Sequence, residues 1–332
     1  MNHKKFVITS SVLMFLVVGI VAGLAIYSGF GVIASIPDLP EAVSYLPADC
    51  KAVFGMNVKK FIASPIYAKF EEKHGQEMGK DLAEFIAKTG VDPRKHVDYI
   101  IAGARSVESG KGSGVIVAVG QFNTAAIKSF LGTKATPISV KVDETEVMMV
   151  PEADGSKLEK GLAFLKESEI ALGDLDSLKA LINARKNPAL LGIKNNQVLA
   201  PILDKLNSKE MFWFAGDATI MLSKAPANTP LGANLSAIQN VVGTLDLTDA
   251  VAGKITVTAR DKESARKLAD VARGFIALGQ LASDQNAELS MLLNGISIQH
   301  SEETNSITLV LNFPIDVLDR LEQAKANAKK VV

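Results

Sequence analysis

The residues best suited to chemistry lie between Arg105 and Gly120, in RSVESGKGSGVIVAVG, where Lys111 stands between Gly110 and Gly112 ahead of a β-branched run. A phosphate cradle is the chemistry such a loop suggests: glycines let backbone amides converge on an oxyanion while a lysine neutralises it. That site needs the pattern G-x-x-x-x-G-K-[ST] and a helix directly behind it. Here Gly103 stands too far upstream, Gly112 occupies the position of the Mg²⁺-binding hydroxyl, and VIVAVG alternates as a strand. Glycines between two alternating strands are a hairpin signal. The spacing therefore assigns Gly110 and Gly112 to a turn and Lys111 to its exposed tip.

Serine–lysine acyl transfer leaves fragments of its signature as well. Ser264-Ala265-Arg266-Lys267 matches S-x-x-K, and Lys88-Thr89-Gly90 matches K-T-G. In that chemistry K-T-G follows the serine on a neighbouring strand, and an S-D-N element completes the site. Here K-T-G precedes the serine and closes a helical stretch, and Ser283-Asp284-Gln285 fails the middle element. Lys88 and Lys267 read as helix-surface lysines. The histidines, His3, His74, His96 and His300, show neither H-x-x-x-H nor H-E-x-x-H spacing, so no metal triad follows from them. His74 shares a helix face with Glu71 and Glu77, a pattern that a solvated charged face also produces. The acid pairs Asp143–Glu144 and Glu302–Glu303 fall in predicted hairpin turns, whereas paired catalytic carboxylates must face one substrate across a cleft. G-x-S-x-G is absent, which removes the hydrolase elbow. Asn234-Leu235-Ser236 has the form of a glycosylation sequon. Cys50 is the only cysteine, so the chain has no intrachain disulfide and no thiolate cluster. Pro47-Ala48-Asp49 before it is not a lipid-attachment site, and Cys50 is expected to be a small residue at the start of a strand. No position is assigned a catalytic, cofactor-binding or metal-binding role.

The elements that position these residues begin with an anchor. No charged residue occurs from Phe6 to Pro37, a stretch longer than the roughly 20 apolar residues of a spanning helix. His3, Lys4 and Lys5 precede it and Asp38, Glu41 and Asp49 follow it, so the positive-inside rule keeps the amino terminus cytoplasmic and exports the rest. Residues 1–37 are expected to form a cytoplasmic tip and a transmembrane signal anchor, with residues 6–28 in the lipid bilayer of the inner membrane. A cleaved signal peptide is the other reading, with cleavage chemistry at Val32-Ile33-Ala34, although signal cores run only about 7–15 residues. Gly19 and Gly23 add a GxxxG helix-packing motif. Pro37 and Pro40 stiffen a spacer over residues 38–42.

The exported part is rich enough in apolar residues, at 48% of the whole chain, to bury a core. Lys and Arg together count 36, as do Asp and Glu. The signs are interspersed without a basic stripe, which excludes a nucleic-acid partner. A degenerate repeat organises this part. GVIVAVGQFNTAAIKSFL (114–131) matches GKITVTARDKESARKLAD (253–270) as strand, cap and helix. VDYIIAGA pairs with QNVVGTLDL, and ISVKVDETEVMMV with ISIQHSEETNSITLVL as strand, turn, strand. LDSLKALINA pairs with IDVLDRLEQA as closing helices, and LPADCKAVFGMNV with LNSKEMFWFAGDA as openings. The two copies are predicted over residues 43–195 and 196–325, with a tail at 326–332. Ser64-Pro65, Asn123 and Asp261 supply helix starts and Gly90 a helix end, with a break expected near Gly75–Gly79. Alternating strands with intervening helices predict an α+β fold, with mainly antiparallel sheets and helices on one face.

The stretches YLPADCKAVFGMNVKKFIASPIY and TGVDPRKHVDYIIAGA resemble a loose group of uncharacterised, membrane-anchored bacterial envelope proteins. The resemblance rests on Leu46, Pro47, Ala48 and Asp49 before a strand, and on Gly90, Val91, Asp92 and Pro93 at a turn before the next. It covers about the first third of the exported part. It implies an envelope location and transfers no catalytic residue.

The expected function is a non-enzymatic, single-pass membrane-anchored extracytoplasmic protein, on the periplasmic side, that binds or scaffolds a protein partner, such as an accessory subunit of an envelope complex. A lipid or small-ligand binding protein, using a groove between the two repeats, is the alternative. An envelope hydrolase with dispersed catalytic residues is the third.

Overall fold

The computed structural model describes residues 39–106, 112–134, 136–151, 158–206, 209–218, 236–282, 287–317 and 320. The expected anchor at 1–37, the Gly110–Lys111 tip, Asn234 of the sequon and the tail at 326–332 lie outside the described residues. Among the described residues, no helix is long and apolar enough to cross a membrane. They divide into two compact units, one ending at Ala200 and the other beginning at Pro201.

The first unit carries β1 (Ala52–Asn57), β2 (Val97–Ser106), β3 (Ser113–Gly120), β4 (Ile138–Val142), β5 (Thr145–Pro151), β6 (Leu158–Lys166) and β7 (Glu169–Gly173). Their order across the sheet is β1-β2-β3-β7-β6-β5-β4, and every neighbouring pair is antiparallel. Burial explains who sits in the middle. Four of the five residues of β7 (EIALG) are buried, whereas only Val142 of β4 is buried and Ile138 is exposed. A strand without a polar face belongs inside the sheet, and one that tolerates water on both sides belongs at its edge.

The helices of this unit are α1 (Glu41–Ser44), α2 (Val58–Ile62), α3 (Pro65–Thr89), α4 (Pro93–His96), α5 (Thr124–Lys134), α6 (Leu175–Lys186) and α7 (Pro188–Leu191). The Ser64 hydroxyl accepts the Tyr67 amide, and Gly90 closes α3 with a left-handed φ of 70°. The expected break near Gly75–Gly79 does not occur, and α3 runs through. A glycine costs a helix only about 1 kcal/mol relative to alanine and, unlike proline, keeps its donor.

The pleat of β6 shows that helices cover both faces of this sheet, which corrects the expected single face. Leu162 packs with Ile127 and Phe130 of α5 and Phe85 of α3, where Phe85 and Phe130 meet edge to face at 5.5 Å. Gly161 points the other way, beneath α6, so that a Cβ there would meet Leu178 at 3.0 Å. Successive residues of a strand face opposite sides. The short apolar strand β7 required this outcome, since both of its faces need cover.

The second unit carries β8 (Phe212–Asp217), β9 (Ile238–Leu247), β10 (Ala250–Ala259), β11 (Ile296–Ser301) and β12 (Ser306–Pro314), in the antiparallel order β8-β9-β10-β12-β11. Between β10 and β11 lie α8 (Lys262–Ala282) and α9 (Ala287–Asn294). Asp261 starts α8, accepting the Ser264 amide at 2.8 Å. Ala265, Leu268 and Ala269 of α8 close a core with Val241, Ile255, Ala259 and Ile307.

Each unit thus opens with a three-strand antiparallel meander, inserts a helix, and returns a later strand to the open side of the third. β7 returns beside β3 and β12 beside β10. The hairpin β6–β7 therefore holds the position that β11–β12 holds in its own sheet. The sequence pairing had set β4–β5 against β11–β12. In the fold, β4–β5 extends the first sheet at its edge.

Candidate functional site

The sequence motifs resolve into structural roles. Ser106 and Ser113 face each other where β2 turns into β3, and a strand follows Gly112 with no helix start to receive a phosphate. The base of this hairpin is a closed charge cluster. Arg105 donates through Nε and Nη2 to Asp49 at 2.8 and 2.5 Å, and through Nη1 to Ser177 Oγ at 3.4 Å. Asp174 accepts the Gly114 amide at 3.0 Å, the Ser177 amide and the Ser177 hydroxyl. The Arg105 hydrogen bonds hold the Asp49 carboxyl below its usual range. Burial tends to raise Asp174, but its hydrogen bonds from Ser177 and Gly114 outweigh that and lower it.

The Ser264 hydroxyl donates to Asp261, while Lys267 pairs with Glu263 at 2.6 Å. Both belong to the first turns of α8 and no nucleophile–base pair forms. Lys88 is exposed, and the Thr89 hydroxyl donates to the Phe85 carbonyl. His96 Nδ1 accepts the Asp92 amide at 2.8 Å, closing a turn rather than binding a metal. Asp143 and Glu144 lie in the β4–β5 turn on surface lysines, Lys186 at 2.9 Å and Lys141 at 3.1 Å. Glu302 and Glu303 lie in the β11–β12 turn. Among the described residues no group of three His, Cys, Asp or Glu could hold a metal ion. Cys50 is wholly buried, and burial pushes its thiol up to about 12.

Sequence reasoning missed a buried acid. Glu169 starts β7 almost fully enclosed, with Lys166 at 3.0 Å and Arg185 at 3.9 Å. The Tyr45 hydroxyl is buried beside it, short of hydrogen-bonding geometry, and burial together with Glu169 pushes the Tyr45 pKa up. Lys166 also reaches Glu41 at 3.4 Å. This cluster ties the segment around α1 to β6 and β7.

Sequence reasoning also missed a group of exposed apolar side chains. Gly274 to Ser283, GFIALGQLAS, carries no charge. Its side chains Phe275, Leu278 and Leu281 are 54%, 64% and 73% exposed, and Met291 on α9 is 44% exposed. The two helices touch at Gly279, where a Cβ would come within 2.9 Å of Leu293, and Gln280 donates to Asn294 at 3.2 Å. Polar residues of the first half of α8 are paired along the helix, Lys267 with Glu263 and Arg273 with Asp270. Scattered exposed apolar residues need no explanation, but several on one uncharged half-helix do.

No family model and no curated protein matches this sequence. Among solved structures, crystal form I of TP0453 is similar with a TM-score of 0.47 and 9% identity, covering 88% of this chain and 98% of that one. Crystal form III of TP0453 is similar with a TM-score of 0.46 and 9% identity, covering 86% of this chain and 97% of that one.

Proposed function

We propose that this chain is a single-pass, membrane-anchored extracytoplasmic protein of the bacterial inner membrane, with its amino terminus cytoplasmic. Its two α+β units are the copies of a degenerate repeat, and they act as a non-enzymatic binding or scaffolding module for a protein partner in the envelope. The anchor reading rests on the charge-free run from Phe6 to Pro37 behind Lys4 and Lys5. The binding reading is carried by one observation: Phe275, Leu278 and Leu281 stand in solvent on α8, where a partner that excluded water would gain roughly 25 cal/mol per Å² of apolar surface.

Purification of the full chain in mild detergent tests this reading. A protein partner is expected to travel with the wild type, to be lost from Leu278→Glu, and to be kept by Lys267→Gln, about three turns away in the charged first half of the same helix. A wild-type chain that elutes alone, or a partner that survives Leu278→Glu, overturns it.

A further inference from the structure

Trp213, Thr244 and Lys254 are direct cross-strand neighbours. Trp213 of β8 stands opposite Thr244 of β9, and Thr244 stands opposite Lys254 of β10. Directly opposed residues of antiparallel strands put their side chains on one face, with Cβ atoms about 5 Å apart. This face is the one turned away from α8, since Ile255, next along β10, packs with Leu268 and Ala269.

The row is unusual for what it leaves unpaired. Trp213 is wholly buried and Thr244 nearly so, yet neither the indole Nε1 nor the Thr244 Oγ1 has a hydrogen-bond partner among the described residues. Folded interiors leave few such groups unsatisfied, and each calls for an explanation. Lys254 beside them is half-buried and has no acidic partner among the described residues, and its burial lowers its pKa. Asp246, two residues along β9 on the same face, is engaged by the Met211 amide at 3.0 Å. An indole N–H and an ammonium only donate, and a hydroxyl can donate. Three donors in line without a carboxylate among them match an acceptor-rich anion. The row continues to Val310 on β12, and Val242 lies one step along β9 on the same face. These supply apolar surface beside the polar row.

We propose that this row is a binding site for a carboxylate- or phosphate-headed ligand, with the Lys254 ammonium, the Thr244 hydroxyl and the Trp213 indole N–H as its donors. The site is independent of the apolar face on α8.

Trp213 is the only tryptophan in the chain, so its fluorescence reports the site without labelling. The full chain in mild detergent is titrated with hexanoate, with inorganic phosphate, with phosphatidic acid in mixed micelles, and with hexanol as the neutral control. A saturable change in Trp213 emission is expected with at least one anion and none with hexanol. The apparent affinity should fall about tenfold in Lys254→Met, as for loss of a hydrogen bond to a charged group, and largely return in Lys254→Arg. A response to phosphatidic acid unmatched by free phosphate assigns a lipid headgroup, and a response to phosphate or hexanoate assigns a soluble ion. No saturable response to any anion overturns the proposal, and is the result expected if bound water alone satisfies Trp213. Equal responses to hexanol, or an unchanged affinity in a Lys254→Met chain with wild-type near-ultraviolet dichroism, overturn it too. The wild-type titration against hexanol decides the matter even if the variant misfolds.

Discussion

Leu268 and Phe275 occupy the same stripe of α8, seven residues and about two helical turns apart, yet Leu268 is 7% exposed and Phe275 is 54% exposed. The core takes residues of this helix only as far as Ala269. Beyond it no described residue of the helix is fully buried, and Phe275, Leu278 and Leu281 face water. Stability and surface hydrophobicity therefore separate along one helix. Leu268→Ala should cost about 2–4 kcal/mol through the lost contacts and cavity. Leu278→Ser should change stability by no more than about 0.5 kcal/mol, as at an ordinary surface position. Urea unfolding of the two variants against the wild type measures the contrast.

Arg105 and Asp49 predict the acid limb of stability. Asp49 has its folded pKa lowered chiefly by the Arg105 hydrogen bonds, so its contribution is present above the unfolded value, near 3.9, and is lost as pH falls through the folded value. Asp92 acts in the same direction: burial raises it, and the Arg94 hydrogen bonds outweigh burial. The urea midpoint should hold steady near neutrality and decline below about pH 4. Asp49→Asn should cost about 0.5–1 kcal/mol at pH 7, and its decline with acid should be shallower than that of the wild type.

Two glycines should respond with opposite signs to the same substitution. A Cβ on Gly120 would fall on the backbone carbonyl of His96, which cannot swing away as a side chain can. A Cβ on Gly132, inside α5, meets nothing within 4 Å. Gly120→Ala is expected to destabilise by more than about 2 kcal/mol through backbone displacement. Gly132→Ala should stabilise by about 0.5–1 kcal/mol through helix propensity and chain entropy. Thermal unfolding midpoints of the pair check both signs.

How much of this was legible in the sequence depends on the range of the interaction involved. VIVAVG identified β3, which pairs antiparallel with β2, because strand alternation is local. Ser64, Asn123, Asp261 and Gly90 marked helix ends for the same reason, and Asn123 does accept the Ala126 amide. The partner of β3 was not legible. KVDETEV reads as strand, acidic turn, strand, whereas FLKESEI was given no reading, and it is the burial of β7 on both faces that suits it to a place beside β3. The Trp213–Thr244–Lys254 row was out of reach, since it exists only once the registers of three strands are set. The uncharged half of α8 was visible as GFIALGQLAS, but the sequence could not say that the sheet fails to cover it.

Cys50 should be silent until the protein unfolds. It has no exposed surface, and burial pushes its thiol up to about 12, so almost no thiolate exists at pH 8 to attack a disulfide reagent. A colourimetric thiol assay at pH 8 should find no reactive group in the native chain and one per chain in urea. Rapid native labelling would mean that the segment before β1 opens.

A photo-crosslinking residue placed at position 278 of the full chain, in its native membranes, asks whether a protein partner sits on α8. Position 267, about three turns away in the charged first half of the same helix, serves as the control. A discrete crosslinked protein is expected from 278 and none from 267. Identical patterns from the two positions, or no protein adduct from 278, would contradict it.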